Sequence, residues 1–306
     1  MGARIIGVGQ AVPDRVVTNA DFEAYLDTSD TWITERTGIR ERRFGGTTSS
    51  LAIEAGRRAI ADAGLTPGDI DFLVLSTTTP DQTVPATSAE VSHQLGTRGG
   101  AMDLNAACAG YVYALVVARG MIASGAHRVL VIGSDTLSRI TDQNDRSTAV
   151  LFADGAGAVV MERADEDDLL GWDLGVDGAA RPILYCDHGG YMYMEGREVF
   201  KRAVRVMVES SETAMKQAGV NADDIALLVP HQANLRIIQA ANERLGISLD
   251  RTAVVLDRYG NTSSGSIPLA LADAVAQGRL HPGDHVLFTG FGAGMTWASA
   301  VWRWAR

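Results

Sequence analysis

Three residues in this sequence carry chemistry, and each sits among small neighbours. Cys108 lies in Asp103-Leu104-Asn105-Ala106-Ala107-Cys108-Ala109-Gly110-Tyr111 and is one of two cysteines. A thiolate is a strong nucleophile, and a thioester formed on it stays reactive toward a second attack. His231 lies in Pro230-His231-Gln232-Ala233-Asn234. Asn261 lies in the loop Arg258 to Pro268, where its amide offers a donor to a cleft. A fourth stretch, Thr289-Gly290-Phe291-Gly292-Ala293-Gly294-Met295-Thr296, offers exposed N–H groups suited to half of an oxyanion hole. It lacks a Gly-Lys-Ser/Thr ending and leads into a strand-like run, so neither a phosphate loop nor a dinucleotide fingerprint fits. Cys, His and Asn also suit a cysteine hydrolase. Taken singly, each has an ordinary structural reading: a small buried thiol, a turn histidine, a helix-entry loop.

The elements expected around these residues alternate between strand and helix. Gly99-Gly100 reads as a turn, 101–104 as a short buried strand, and Tyr113 to Ile122 as an apolar run of helical length. Cys108 is therefore expected at a helix N-terminus, where N–H groups and the helix dipole favour a thiolate. His231 is expected at the C-terminal end of a strand over 225–229, where α/β sheets place ligand sites. Further strands are expected over 4–12, 69–77, 128–133 and 155–161. Ser50 to Ala63 reads as an amphipathic helix stopped by Gly64. Glu198 to Ala218 reads as a long helix with core positions Phe200, Ala203, Val204, Met207, Val208 and Met215. The stretch 163–197 opens on an acidic run and turns rich in glycine and aromatics, so it reads as irregular and as the boundary between halves 1–162 and 163–306.

Internal repetition supports two halves. Residues 63–74 align with 218–229 at a separation of 155, and 128–133 align with 285–290 at 157. Alternating helices and apolar strands imply parallel sheets covered by helices. The repeat sets Cys108 opposite Ser263 and Ser264, so each half offers a helix start near a shared axis.

The bulk properties bound the function class. The chain has 306 residues, 46% hydrophobic and 21% charged, enough for a large core. A net charge of −10 speaks against general nucleic-acid binding. No apolar run is long enough to span a membrane. The N-terminus has no apolar signal region, and two distant cysteines fit reduced thiols in the cytoplasm.

Several motifs jointly resemble the β-ketoacyl-ACP synthase III family of the thiolase superfamily. They are 31–42 (TWITERTGIRER), Ala106-Ala107-Cys108-Ala109-Gly110, Asp154-Gly155-Ala156-Gly157-Ala158, His231-Gln232-Ala233-Asn234-Leu235-Arg236 and Gly260-Asn261-Thr262-Ser263. The resemblance covers essentially the whole chain. It implies an α/β thiolase fold of two pseudo-repeated halves in αβαβα layers, a cytoplasmic homodimer, and no metal or redox cofactor. It implies that Cys108 takes an acyl group from acyl-CoA, and that His231 and Asn261 stabilise the enolate formed as malonyl-ACP loses CO₂. The N–H groups of Cys108 and Ala293 would form the oxyanion hole. Thr28, Trp32, Arg36, Arg146, Gly196, Asn234 and Arg236 match family positions for CoA, with Trp32 stacked on adenine and Arg146 on its far side. Val84, Phe291 and Met295 match acyl-pocket positions, and Val84 would cross to the partner subunit. Lys201, Arg205, Arg236 and Arg244 would meet the acidic carrier protein.

The sequence departs from the family at Ala293, where a third glycine is usual, at Glu243, where docking expects a basic residue, and in a short 163–197 segment. Val84, where the family often has phenylalanine, suggests room for longer or branched acyl groups. A second catalytic cysteine, as in degradative thiolases, is missing from the glycine loop, and Cys186 is expected elsewhere. The alternatives are a related acyltransferase or starter-unit enzyme of secondary metabolism, and a non-catalytic acyl-CoA-binding scaffold.

Overall fold

The computed structural model describes residues 2–306. The chain begins β1 (Gly2–Ala11), β2 (Val16–Thr18), α1 (Asn19–Glu23), α2 (Asp30–Thr37), β3 (Glu41–Arg43), α3 (Thr48–Asp62) and β4 (Phe72–Ser76). It continues α4 (Thr87–Leu95), β5 (Gly100–Leu104), α5 (Gly110–Ala123), β6 (Arg128–Thr136), α6 (Arg146–Ala149) and β7 (Asp154–Ala164). Then follow β8 (Leu169–Val176), β9 (Leu184–Tyr185), β10 (Tyr193–Met194), α7 (Gly196–Ala218), β11 (Ile225–Pro230) and α8 (Leu235–Leu245). The last elements are α9 (Leu256–Tyr259), α10 (Ser266–Ala276), β12 (His285–Gly292) and β13 (Thr296–Arg303).

Two sheets face each other across a helical layer. One has the order β1-β7-β6-β4-β5, the other β11-β12-β13-β8. Between them α5 and α10 bury Tyr111, Leu115, Ile267 and Leu271 against Val74, Val131, Val229 and Phe288. The opposite faces are covered too: Leu73, Leu75, Leu130 and Ile132 pack on α3 and α4, and Leu228 and Leu287 pack on α7 and α8. A strand buried on both faces needs no polar alternation. This is the layered αβαβα arrangement of the thiolase fold.

The sheets are mixed, not parallel as the alternation implied. β4 runs parallel to β5 and β6, but β7 is antiparallel to both β6 and β1. Likewise β11 is parallel to β12, while β13 is antiparallel to β12 and β8. The parallel neighbours are joined through helical crossovers, whereas an antiparallel neighbour needs none.

The repeat is visible in the register. Leu73 stands opposite Leu130 and Leu228 opposite Leu287, so the two separations found in the sequence meet in matching pairs. Thr66 and Asn221 cap matching 3₁₀ turns, Pro67–Asp69 and Ala222–Asp224. A third match lies at the helix starts. Ala107–Ala109 leads into α5 and Ser263–Gly265 into α10, each opening on a left-handed residue, Ala107 at φ 49° and Ser263 at φ 52°.

Other expectations change. The stretch 163–197 contains β8, an integral strand of the second sheet, and the small β9–β10 hairpin. Glycines disguised β8. A Cβ at Gly171 would stand 2.3 Å from the Ala214 carbonyl on α7, and one at Gly175 would strike the Trp297 ring. The strand β5 is an edge with half-buried side chains, not a buried strand. On α7 the buried valines are Val199, Val204 and Val206, while Phe200 and Val208 are only half-buried.

Candidate active site

Cys108 is set by a short turn between β5 and α5. The Asn105 side chain accepts the Ala107 N–H at 3.1 Å, and Ala107 takes the left-handed conformation. Such strain in a residue with a Cβ persists only where its surroundings over-determine it. The glycine-rich turn closes on this point. A Cβ at Gly292 would lie 2.5 Å from the Cys108 nitrogen, so only glycine fits. The Thr296 hydroxyl donates to the Ala106 carbonyl at 2.8 Å and holds the two turns together. Ala293 follows Gly292 in the cavity wall.

The resting thiol differs from the thiolate expected at a helix start. Burial, with the Asp135 charge adding to it, pushes its pKa up to about 12, while the Ser263 hydroxyl acts in the opposite direction. Desolvation penalises the charged form more than the helix terminus favours it.

His231 follows β11 and is 1% exposed. Its Nδ1 lies 2.7 Å from the Ser266 hydroxyl, and that oxygen also accepts the Gln232 N–H at 3.3 Å. Among the described residues the Ser266 hydroxyl has no acceptor other than Nδ1, so we assign its proton to Nδ1 and the hydrogen of the neutral ring to Nε2. Burial lowers the imidazole pKa to about 3, leaving it neutral. The Phe291 ring packs edge-on against it, with centroids 5.5 Å apart. The Gln232 side chain braces the strand end by donating to the Pro230 and Ala253 carbonyls and accepting the Val255 N–H.

Asn261 is held by both halves of the chain. Its N–H donates to the Leu151 carbonyl at 2.9 Å, and its carbonyl accepts the Ala153 N–H at 2.8 Å. Its side-chain Oδ1 accepts the Ser263 N–H at 2.9 Å, which turns the Nδ2 amide toward the cavity. His231 and Asn261 therefore both present N–H donors, and a pair of donors suits an oxygen that gains negative charge.

Cys108, His231 and Asn261 line one cavity of about 1130 Å³, together with Phe291, Ala293, Gly196 and Asn234. Its remaining walls come from the loop after β4 (Thr78–Thr83), from Leu137 and Arg139, and from the 181–194 segment with Leu184, Met192 and Met194. Cys186, outside the glycine-rich turn as expected and between β9 and β10, also lines it. Met295 does not line it. The Met295 N–H and carbonyl pair with Asp177 beyond the end of β8, and the side chain is buried among Val206, Met207 and their neighbours. Val84 does not line it either: the residue is 81% exposed on the loop before α4.

Five of the expected CoA positions stand outside the cavity. Arg36 and Arg146 each lie 4.8 Å from the Trp32 ring, so Trp32 already carries two guanidinium groups. Thr28 is near the start of α2, and its buried hydroxyl has no partner. Arg236 is exposed on α8. Asn234 joins this surface to the cavity: its amide donates to the Arg36 carbonyl at 3.0 Å while its Oδ1 caps α8. Arg205 and Arg244 are exposed, whereas Lys201 is paired with Glu198 at 3.0 Å. Among the described residues no group of three or more His, Cys, Asp or Glu is placed to hold a metal ion. Among the described residues no helix is long and apolar enough to cross a membrane.

Sequence reading missed Ser266 and Asp135, and placed Ser263 only as part of the region opposite Cys108 in the repeat. Ser266 aligns with Gly110 in the repeat, and its partner His231 aligns with Ser76, so the repeat itself carried that signal.

Comparison with known proteins agrees with this geometry. Residues 102–178 match the model of 3-oxoacyl-[acyl-carrier-protein (ACP)] synthase III, and 215–304 match that family's C-terminal model. A β-ketoacyl-[acyl-carrier-protein] synthase III of Roseiflexus castenholzii is 51% identical, covering 99% of this chain and 98% of the relative. The crystal structure of 3-oxoacyl-[acyl-carrier-protein] synthase III from Aquifex aeolicus superposes with a TM-score of 0.97 at 44% identity, over 99% of this chain and 100% of that one. The priming β-ketosynthase of the R1128 polyketide pathway superposes at 0.95 with 35% identity, over 99% and 96%. The chain belongs to the β-ketoacyl-[acyl-carrier-protein] synthase III family of condensing acyltransferases.

Proposed function

We propose that the protein condenses an acyl-CoA primer with malonyl-ACP by way of acyl-Cys108, the step that initiates fatty-acid synthesis. The Cys108 sulfur attacks the thioester carbonyl, the carbon–sulfur bond to CoA breaks, and the thiol proton ends on CoA. The N–H groups of Cys108 and Ala293 receive the oxyanion. Malonyl-ACP then enters. Its carbon–carboxylate bond breaks to release CO₂, and the enolate oxygen is held by His231 Nε2–H and Asn261 Nδ2–H. The enolate carbon attacks the acyl carbon, the bond to Sγ breaks, and the Cys108 thiolate takes up a proton.

The observation that carries this reading is the convergence of two neutral donors and one thiol on a single cavity. A thiol held neutral at rest and a histidine that stays neutral suit a site that must stabilise anions only as they form. Neither half-reaction calls for a metal or a redox cofactor.

Trp32, Arg36 and Arg146 with Thr28 would bind the nucleotide end of CoA, and Gly196, Asn234 and Arg236 would line the way in. For adenine to stack on Trp32, one guanidinium must leave the ring. Arg205, Arg236 and Arg244 would meet the acidic carrier protein, with Lys201 contributing less because Glu198 already holds it. The chain is read as halves 1–162 and 163–306, as a homodimer and as cytoplasmic. The half-buried edge strand β5 and exposed Val84 support the dimer, since each offers a surface to a second copy.

Intact-mass spectrometry with a panel of acyl-CoAs tests the reading. A mass gain equal to the acyl group, absent in Cys108→Ala, is expected. No gain with any acyl-CoA, or a gain that survives Cys108→Ala, overturns it.

A further inference from the structure

Asp135, near the end of β6, is wholly buried and has no part in the chemistry proposed above. Its carboxylate meets seven donors. Oδ1 accepts from the Thr77 hydroxyl at 3.1 Å, the Thr78 N–H and hydroxyl at 2.7 and 2.9 Å, and the Thr79 N–H and hydroxyl at 3.1 and 2.9 Å. Oδ2 accepts from the Ser264 N–H at 3.0 Å and the Ser264 hydroxyl at 2.7 Å. A buried carboxylate is costly unless its lone pairs are filled. This one is filled by two segments that do not touch in sequence, and both belong to the site. Thr78 and Thr79 line the cavity. Ser264 follows Ser263, whose buried hydroxyl lines the cavity beside Cys108 and whose N–H orients Asn261.

The repeat explains why a carboxylate stands there. Ser264 is the counterpart of Cys108, and Asp135 the counterpart of Gly292. In one half the carboxylate sits on the N–H of the helix-entry residue. In the other, Gly292 brings its backbone so close to the Cys108 nitrogen that no side chain fits between them.

We propose that Asp135 is a positioning residue for the acylation of Cys108: it clamps the Thr77–Thr79 wall to the Ser263–Gly265 turn, and so sets where the Ser263 hydroxyl stands against the sulfur. The proposal rests on Cys108 being the nucleophile. Ser263 is left-handed at φ 52° despite its Cβ, and the bonds from Asp135 to the next residue are the constraint that holds it. An asparagine at 135 cannot replace the carboxylate. Its single oxygen serves one side only, and its NH₂ then confronts donors on the other.

The test compares the wild type, Asp135→Asn, Ser264→Ala and the double variant, all full-length, in single-turnover acylation by acetyl-CoA and butyryl-CoA followed by intact mass. Asp135→Asn is expected to lower the maximal acylation rate about tenfold or more, as small misplacements of reacting groups do. The half-saturating acyl-CoA concentration should stay within about threefold, because binding of the substrate is not at issue. Ser264→Ala should lose less, because the Ser264 N–H still donates to Asp135 and only the hydroxyl, which also reaches the Ser76 carbonyl at 2.8 Å, is removed; the double variant should lose less than the product of the two single losses, since the hydroxyl bond to Asp135 is shared. A maximal rate unchanged in Asp135→Asn overturns the proposal. So does a loss carried wholly by half-saturation, or a double variant whose loss is the product of the two. If melting curves show that Asp135→Asn does not fold, Ser264→Ala and Thr77→Val decide together, each removing a side-chain donor from an opposite side of the carboxylate: slower maximal rates at unchanged half-saturation in both support the clamp, and unchanged rates in both overturn it. Failure of the wild type to acylate would sink the proposed function itself and take the clamp with it.

Discussion

At the entrance of α5 the helix-start residue is Cys108, and at the entrance of α10 it is Ser264. Both follow a left-handed residue, and both present an N–H beside a strand end from the opposite sheet. At Ser264 that strand end is Asp135, whose carboxylate takes the N–H and the hydroxyl together. At Cys108 it is Gly292, which brings no side chain. One turn is therefore held by a carboxylate, and the other is closed by bare backbone and lines a cavity. The neighbouring strand ends differ in the same sense. Ser76 ends β4 against Gly110, whereas its counterpart His231 reaches Ser266 through Nδ1 and keeps Nε2 for the cavity. A duplicated backbone has thus been divided into a structural copy and a reactive copy by a few side chains.

The comparison predicts which changes hurt most. Removing either donor of the reactive copy, His231→Ala or Asn261→Ala, should slow CO₂ release from malonyl-ACP by about a hundredfold to a thousandfold. Acylation of Cys108 should survive in both, and ¹⁴CO₂ capture beside intact mass separates the two steps. Equal loss of both steps would mean that these residues hold the nucleophile and not the enolate.

Crowding the reactive copy comes next. Gly292→Ala brings a Cβ to 2.5 Å from the Cys108 nitrogen, and acylation should fall by about a hundredfold as the oxyanion donors shift. As a control, Gly178→Ala, where a Cβ would meet nothing within 4 Å, should leave acylation unaltered. Stopped-flow or quenched acylation assays read both, and a fully active Gly292→Ala would contradict an oxyanion position set by that close approach.

A pH effect on stability follows from His231. Its folded pKa of about 3 lies below the ordinary imidazole value of about 6.5, so the unfolded chain binds a proton that the native site refuses. Its contribution is fully present above about pH 6.5 and is lost as pH falls toward 3, by a few kcal/mol in all. Denaturant midpoints for the wild type and His231→Gln, compared from pH 7 to pH 4, should show a steeper decline in the wild type. Parallel curves would contradict the neutral, buried imidazole.

The smallest effect is expected at the surface. Lys201→Ala should change the KM for malonyl-ACP by less than about twofold, because its ion pair with Glu198 is exposed and weak. Arg236→Ala should raise that KM more, and steady-state titration of the carrier protein checks the order.

The reactive copy was legible in the sequence because its residues are chemically unusual for their places: a cysteine among alanines, a histidine after an apolar strand, an asparagine in a loop of small residues. The repeat was legible because capped turns and apolar strand cores keep their spacing. The structural copy was not. The strand reading stopped at Gly133, two residues before Asp135, since an acidic residue carries no apolar signal. β8 was hidden because the close approach of α7 and Trp297 requires glycines at 171 and 175, which read as loop. Met295 was assigned to the pocket by its place in a motif, yet the turn pairs its backbone with Asp177 and aims its side chain into the core. Cys186 reaches the cavity through a hairpin whose position depends on packing far along the chain.

The central claim is that one sulfur, Cys108, carries the acyl group that the His231–Asn261 pair then consumes. Stoichiometry tests it most directly. The acylated protein, freed of CoA, is mixed with malonyl-ACP, and adduct mass, CO₂ and β-ketoacyl-ACP are followed together. The account predicts that the Cys108 adduct disappears mole for mole as CO₂ and β-ketoacyl-ACP appear. CO₂ and β-ketoacyl-ACP formed while the adduct stays in place would contradict it.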